Sequence, residues 1–204
     1  MKKNMIVSTI ATLLIAGCAS TDLEKKSVNS VKEEESVSSI KGGKQEDVSK
    51  NTIAEKSGSI ITLGDRAVEI FYGNEGNAER YTNAISSAKQ ALGDQVEVYN
   101  MVVPSSVEFA LPQKYKNMSK SQKPVIDKIY DSLDSKVKTV DAYKALEKHK
   151  NEYIYFNTDH HWTSLGAYYA YEQFAKEAGF QATSLNEYKR YSKKGFLGTL
   201  YTQT

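Results

Sequence analysis

Hydrophobic positions fall into three regimes along the chain. Residues 5–16 form a nearly unbroken apolar run, interrupted only by Ser8, Thr9 and Thr12. Residues 19–58 turn to Lys, Glu, Ser, Val and Gly, with no aromatic residue and no sustained apolar period. From Ser59 onward, short apolar runs alternate with stretches of helical period.

In that third regime Ile60-Ile61-Thr62-Leu63 and residues 67–72 predict two short strands joined at Gly64-Asp65. Asn77 can cap a helix carrying Tyr81, Ala84, Ile85, Ala88 and Leu92, which Gly93 ends. Residues 96–98 and 101–103 read as a strand buried on both faces at its end, stopping at Pro104-Ser105-Ser106. A second helix is expected over 121–134, with Pro124 in its first turn and Ile126, Ile129, Tyr130 and Leu133 on one face. Residues 137–140 give a short strand, and Asp141 caps a short helix through Leu146. Tyr153-Ile154-Tyr155-Phe156 reads as a buried strand. The final helix carries Ala167, Ala170, Tyr171, Phe174 and Ala178 on one stripe and closes at Gly179. Strands alternating with helices predict an α/β domain with a largely parallel, flavodoxin-like sheet covered on both faces, spanning 59–204.

Composition refines the first two regimes. Lys2 and Lys3 precede the apolar run, which is too short to span a bilayer as a helix but suits a secretory signal. Ile15-Ala16-Gly17-Cys18 ends it like a bacterial lipobox, so 1–17 is expected to be removed and Cys18 to carry lipid. Two acyl chains anchor durably where one is marginal. A plain signal peptide cut near Gly17, or a small buried Cys, is the alternative. Residues 18–58 then serve as a disordered tether on the extracellular face of the membrane, a marginal helix over 22–35 being the alternative. The net charge of +2 gives no concentrated basic face of the kind nucleic acid requires. Fourteen Tyr suit contact with sugar and equally suit an amphipathic core rim.

The candidate chemistry lies at Asp159-His160-His161-Trp162, between the expected strand and the last helix, where open α/β sheets place their ligands. In an extended segment Asp159 and His161 share one face and His160 and Trp162 the other, with alternate Cα atoms about 6.5–7 Å apart. A carboxylate that orients an imidazole is the base half of a Ser-His-Asp system. A metal site is the chemical rival. His160 and His161 are expected to face apart, and neither a Cys nor a suitably placed His149 completes a shell, so no metal and no cofactor is assigned. A His bonded locally at a helix start is the bland alternative.

The run from Tyr153 through Asp159-His160-His161-Trp162-Thr163-Ser164-Leu165-Gly166-Ala167-Tyr168 resembles the signature of the DHHW protein family. That family is similar to the SGNH-hydrolase-like domains of alginate O-acetyltransferases, which carry an Asp-x-His-Trp motif. Residues 63–71 and Met101-Val102-Val103-Pro104 also fit the pattern, so the resemblance covers roughly 59–204. It implies an SGNH-hydrolase-like fold, with Asp159 as orienter, His161 as base and Trp162 packing the loop or contacting substrate. It also implies O-acyl transfer or ester hydrolysis on a cell-surface glycan through an acyl-serine. In these relatives the nucleophilic Ser, in a Gly-Asp-Ser-like turn, follows the motif. Ser164, Ser184 and Ser192 follow it here in no such turn, and Gly64-Asp65 is succeeded by Arg66. Ser105 and Ser106 are left as site-lining candidates. The chain is therefore expected to cover the front portion of the family's domain, with a non-catalytic glycan- or partner-binding module as the rival reading.

Overall fold

The computed structural model describes residues 52–203. Cys18, the expected signal segment and the tether up to residue 51 lie outside the described residues. The tether's expected last residues do not: β1 (Ala54–Ser57) pairs antiparallel with β2 (Ile60–Leu63), Ala54 opposite Leu63. β2 pairs in turn with β3 (Arg66–Glu69), Ile61 opposite Val68. The boundary expected at Ser59 is thus corrected to include β1. An edge strand needs backbone groups rather than apolar side chains to pair, so a polar Ala-Glu-Lys-Ser segment joins the sheet unseen by a hydrophobic pattern. Gly58 and Gly64 turn the two hairpins in left-handed backbone, at φ 57° and 63°.

The β2–β3 hairpin is buried on both faces. Ile61, Leu63 and Val68 pack with Val107 and Leu111, while Ile60 and Ala67 on the other face meet Leu200. Strict alternation along a strand produces this division, since neighbours point to opposite sides.

Helix α1 (Glu75–Leu92) starts one turn earlier than expected. Asn74, not Asn77, is the cap, and its side chain accepts the Asn77 amide. Gly93 stops the helix at φ 67° as expected. β4 (Val98–Asn100) pairs in parallel with β5 (Val137–Thr139). Residues 101–103 leave the sheet and are half-buried, not covered on both faces. Between them lie the four-residue α2 (Val107–Ala110) and α3 (Lys123–Ser132), which buries Ile126 and Ile129 and carries Pro124 at its start. Asp141 caps α4 (Ala142–Lys148) by accepting the Lys144 amide.

Two expectations about the sheet are corrected. The described residues form a three-stranded antiparallel sheet and one parallel pair, rather than a largely parallel, flavodoxin-like sheet. Tyr153-Ile154-Tyr155-Phe156 is no sheet strand: Phe156 N–H donates to His161 O and Thr163 N–H to Ile154 O. Tyr155 and Trp162 form an isolated antiparallel bridge. The segment's ladder groups are consumed by the motif's own return path, which closes it into a tight hairpin. Its apolar side chains still reach the core, Ile154 and Tyr155 packing with Leu146 and Tyr169.

Helix α5 (Ser164–Ala178) leaves this hairpin, capped by Thr163 and closed by Gly179 in left-handed conformation. It buries Gly166, Tyr169, Ala170 and Ala175, so the expected stripe shares only Ala170. Gly166 sets the rotation. A Cβ there would collide with the Ile154 carbonyl oxygen and stand 3.2 Å from Trp162 Cβ, so the helix backbone lies directly on the hairpin.

Candidate functional site

Asp159 is almost wholly buried, 5% exposed, at the tip of the motif hairpin. Oδ1 accepts the His161 backbone N–H at 2.8 Å and faces His161 Nδ1 at 2.5 Å. Oδ2 accepts the Thr199 backbone N–H at 3.0 Å and the Thr199 hydroxyl at 3.2 Å. Four polar contacts therefore converge on one carboxylate. Burial by itself would push its pKa up. The Thr199 amide, the His161 amide, the His161 ring and the Thr199 hydroxyl together outweigh burial and bring it down to about 2.

An ionised carboxylate can only accept, so His161 Nδ1 carries the proton of that hydrogen bond. Nε2 is then the proton-accepting nitrogen of the neutral ring, the arrangement a general base requires. The imidazole is 53% exposed, and among the described residues Nε2 makes no hydrogen bond.

Thr199 was not legible as a site residue, since it lies 40 residues from Asp159 in the chain. It arrives on a short clamp. Gly198 N–H donates to Thr158 Oγ1 at 3.0 Å, and Leu200 N–H donates to Thr158 O at 3.0 Å. Leu200 is buried against the β2–β3 hairpin. A Cβ on Gly198 would overlap the Thr158 carbonyl and sit 2.5 Å from Asp159 Cβ, so only glycine allows this approach. Replacing Thr199 by Val keeps the shape and the amide but removes the hydroxyl contact. The expected result is an Asp159 pKa moved upward, seen by carbon-detected NMR titration, with about 1 kcal/mol lost from stability. Thr199→Ser should restore both.

The two imidazoles do not face apart. The hairpin tip is a turn rather than extended chain, and the His160 and His161 rings pack 4.0 Å apart at 35°. His160 Nδ1 lies 3.3 Å from Thr199 Oγ1. Asp159, His160 and His161 thus bring potential ligand atoms within 4.8 Å of one another. The geometric ground first given against a metal is corrected accordingly. The donor set nevertheless fits a cation poorly, because both carboxylate oxygens already accept two donors each.

Trp162 is half-buried against the Leu146–Ile154–Tyr155–Tyr169 cluster, where it packs the hairpin. Ser105 Oγ accepts Gln122 Nε2 at 2.9 Å, and its amide donates to Gln122 Oε1 at 2.9 Å. Ser106 is buried at the start of α2, in a small cavity it shares with Arg66, Lys150 and Asn157. Neither Asp159 nor His161 lines that cavity. The loop is tied to the motif's upstream arm by Tyr155, whose hydroxyl donates to Pro104 O at 2.5 Å.

A mixed α/β framework holding a buried, fully bonded carboxylate against a half-exposed imidazole defines a His–carboxylate site of the kind used for proton transfer. The chain belongs to the DHHW protein family, whose pattern matches residues 25–204. It is similar to a DHHW family protein from Eubacterium siraeum DSM 15702, at 34% identity and a TM-score of 0.68, over 73% of this chain and 50% of that one. It is also similar in fold to Bacillus cereus PatB1, solved with a sulfonyl adduct, at 22% identity and a TM-score of 0.53, over 70% of this chain and 48% of that one. The chain thus spans about half the length of both structures. No curated protein matches it.

Proposed function

We propose that this chain supplies the base and orienter of an O-acyl transfer or ester-hydrolysis site acting on a cell-surface glycan, in a protein held at the extracellular face of the membrane through lipid on Cys18. The observation that carries the reading is the Asp159–His161 pair: an ionised, four-bonded carboxylate fixes the imidazole tautomer and leaves Nε2 open. In such a site Nε2 takes the proton of an attacking hydroxyl and returns it to the leaving oxygen, while Asp159 stabilises the imidazolium formed between. The hydroxyl is supplied from outside the described residues. The SGNH-hydrolase-like arrangement is part of the same proposal, supported by the likeness in fold to PatB1.

A non-catalytic binding module is the second reading. It is favoured by one observation, that Ser105 is hydrogen-bonded to Gln122 and Ser106 lines a cavity that neither Asp159 nor His161 borders. Alkali-labile acyl groups on the surface glycan of cells separate the two. A His161→Ala strain should fall to the level of a strain lacking the protein, while His149→Ala should not. Unchanged acyl content in the His161→Ala strain would overturn the enzymatic reading. A Cys18→Ala strain tests the anchor, with intact-mass measurement of the membrane fraction expected to show lipid only when Cys18 is present.

A further inference from the structure

Beside the motif hairpin lies a groove of about 500 Å³, the size of ordinary small-molecule sites. It is lined by the β2–β3 turn with Asp65 and by Asn157 and Thr158, the two residues before Asp159. Lys193 and Phe196, on the segment leading into the clamp, line it as well. Asp65 is engaged by Asn157 Nδ2 at 2.9 Å, which ties the turn to the motif. Tyr153 and Phe196 line the groove, and each packs against Phe156, Tyr153 edge-on at 6.2 Å and Phe196 at 4.7 Å.

The segment that walls this groove has an unusual charge pattern. From Tyr188 to the chain's last residue there are four cations, Lys189, Arg190, Lys193 and Lys194, and no acid. Tyr188, Tyr191, Phe196 and Tyr201 are interleaved with them and are all about half exposed or more. The net charge of the whole chain is only +2, so this stretch is a local positive field rather than a share of a general excess. Apart from a single 3-10 turn at Tyr201–Gln203 the segment is not helical and offers no amphipathic helix, which disfavours a lipid surface as its ligand. Flat apolar rings with polar neighbours suit the faces and hydroxyls of sugar rings, and the cations add a requirement for negative charge.

We infer that this groove binds an anionic glycan strand, with Phe196 and Tyr153 as stacking surfaces and Lys193 in its wall, joined by its chain neighbour Lys194, pairing the strand's carboxylates or phosphates. The inference rests on the acyl-transfer reading for its role, since it makes the strand the acceptor, but the binding itself is tested without turnover.

The full chain is titrated with oligogalacturonate, with poly(glycerol phosphate), with a neutral cello-oligosaccharide, with oligothymidylate and with phosphatidylglycerol vesicles. Binding is expected to one or both anionic glycans and not to the neutral one, and the two anionic arms distinguish carboxylate from phosphate as the recognised charge. Raising salt from about 50 to about 500 mM should weaken it strongly. Lys193→Glu/Lys194→Glu should weaken it about tenfold or more, and Phe196→Ala should weaken it also. Lys144→Glu/Lys176→Glu, the same change in net charge on the exposed faces of α4 and α5, should not. Equal binding of the neutral glycan, indifference to the Lys193/Lys194 reversal, binding as tight to oligothymidylate or vesicles, or no binding at all would each overturn the inference. If glycan acylation in cells depends on His161 and no anionic glycan binds, the inference falls and the function stands. If anionic glycan binds while acylation ignores His161, the function falls and the groove remains.

Discussion

Purified and supplied with a chromogenic acetyl ester, this chain should turn it over no faster than its own His161→Ala variant, and a serine-directed fluorophosphonate should label it far below stoichiometry. The expectation follows from where the hydroxyls lie. Ser105 is held by Gln122, Ser106 is buried in a cavity that excludes the pair, and Thr199 spends its hydroxyl on Asp159. Loss of the nucleophile from a complete triad costs on the order of a millionfold in turnover, because the members act as a unit. The remaining His–carboxylate pair can activate water, but without a positioned carbonyl the gain from proximity is absent. Stoichiometric labelling of Ser105 or Ser106, with turnover abolished by His161→Ala, would show that the loop at the start of α2 swings onto the pair.

Asp159→Ala should cost about 3 kcal/mol of stability at neutral pH, the second large effect. Its carboxyl sits at about 2 when folded against 3.8 in the open chain, which is worth about 2 kcal/mol. The substitution also strands the Thr199 and His161 donors that now share it, at a further cost of about 1 kcal/mol or more. The sign fixes the pH window. A folded pKa below the unfolded one contributes fully above about pH 4 and drains away as pH falls toward 2. Urea unfolding at pH 7 and at pH 3 should therefore show the gap between wild type and variant narrowing with acid. A gap independent of pH would mean that the carboxylate's charge is not what the clamp responds to.

Local rules carried well from sequence to structure. Asp141 as a cap, Pro124 at a helix start, Gly93 and Gly179 as stops and Gly64-Asp65 as a hairpin turn all hold, because each is decided by backbone conformation within a few residues. The pairing of Asp159 with His161 was legible for the same reason. What failed depended on choosing a partner. An apolar-aromatic run at 153–156 says that side chains will be buried but not which backbone will pair with it, and here the motif itself returned to do so. The opposed faces expected of His160 and His161 assumed an extended chain where the tip turns. β1 was missed because Ala54 is the one apolar side chain among its four residues, too little to make a pattern, and Thr199 because a hydrogen bond across 40 residues leaves no period.

The Gly198-Thr199-Leu200 clamp also sets an order in time. A chain made from its amino terminus possesses Asp159 and His161 well before it possesses Thr199, and at about 5–20 residues per second the interval is about two to eight seconds. During that interval the carboxylate has lost neither its hydration nor its mobility, and two of its four donors do not yet exist. The base is completed only by residues made 40 positions after its carboxylate. A nick or a stalled ribosome anywhere in the basic segment ahead of Gly198 leaves a hairpin that looks finished and an imidazole that nothing steadies.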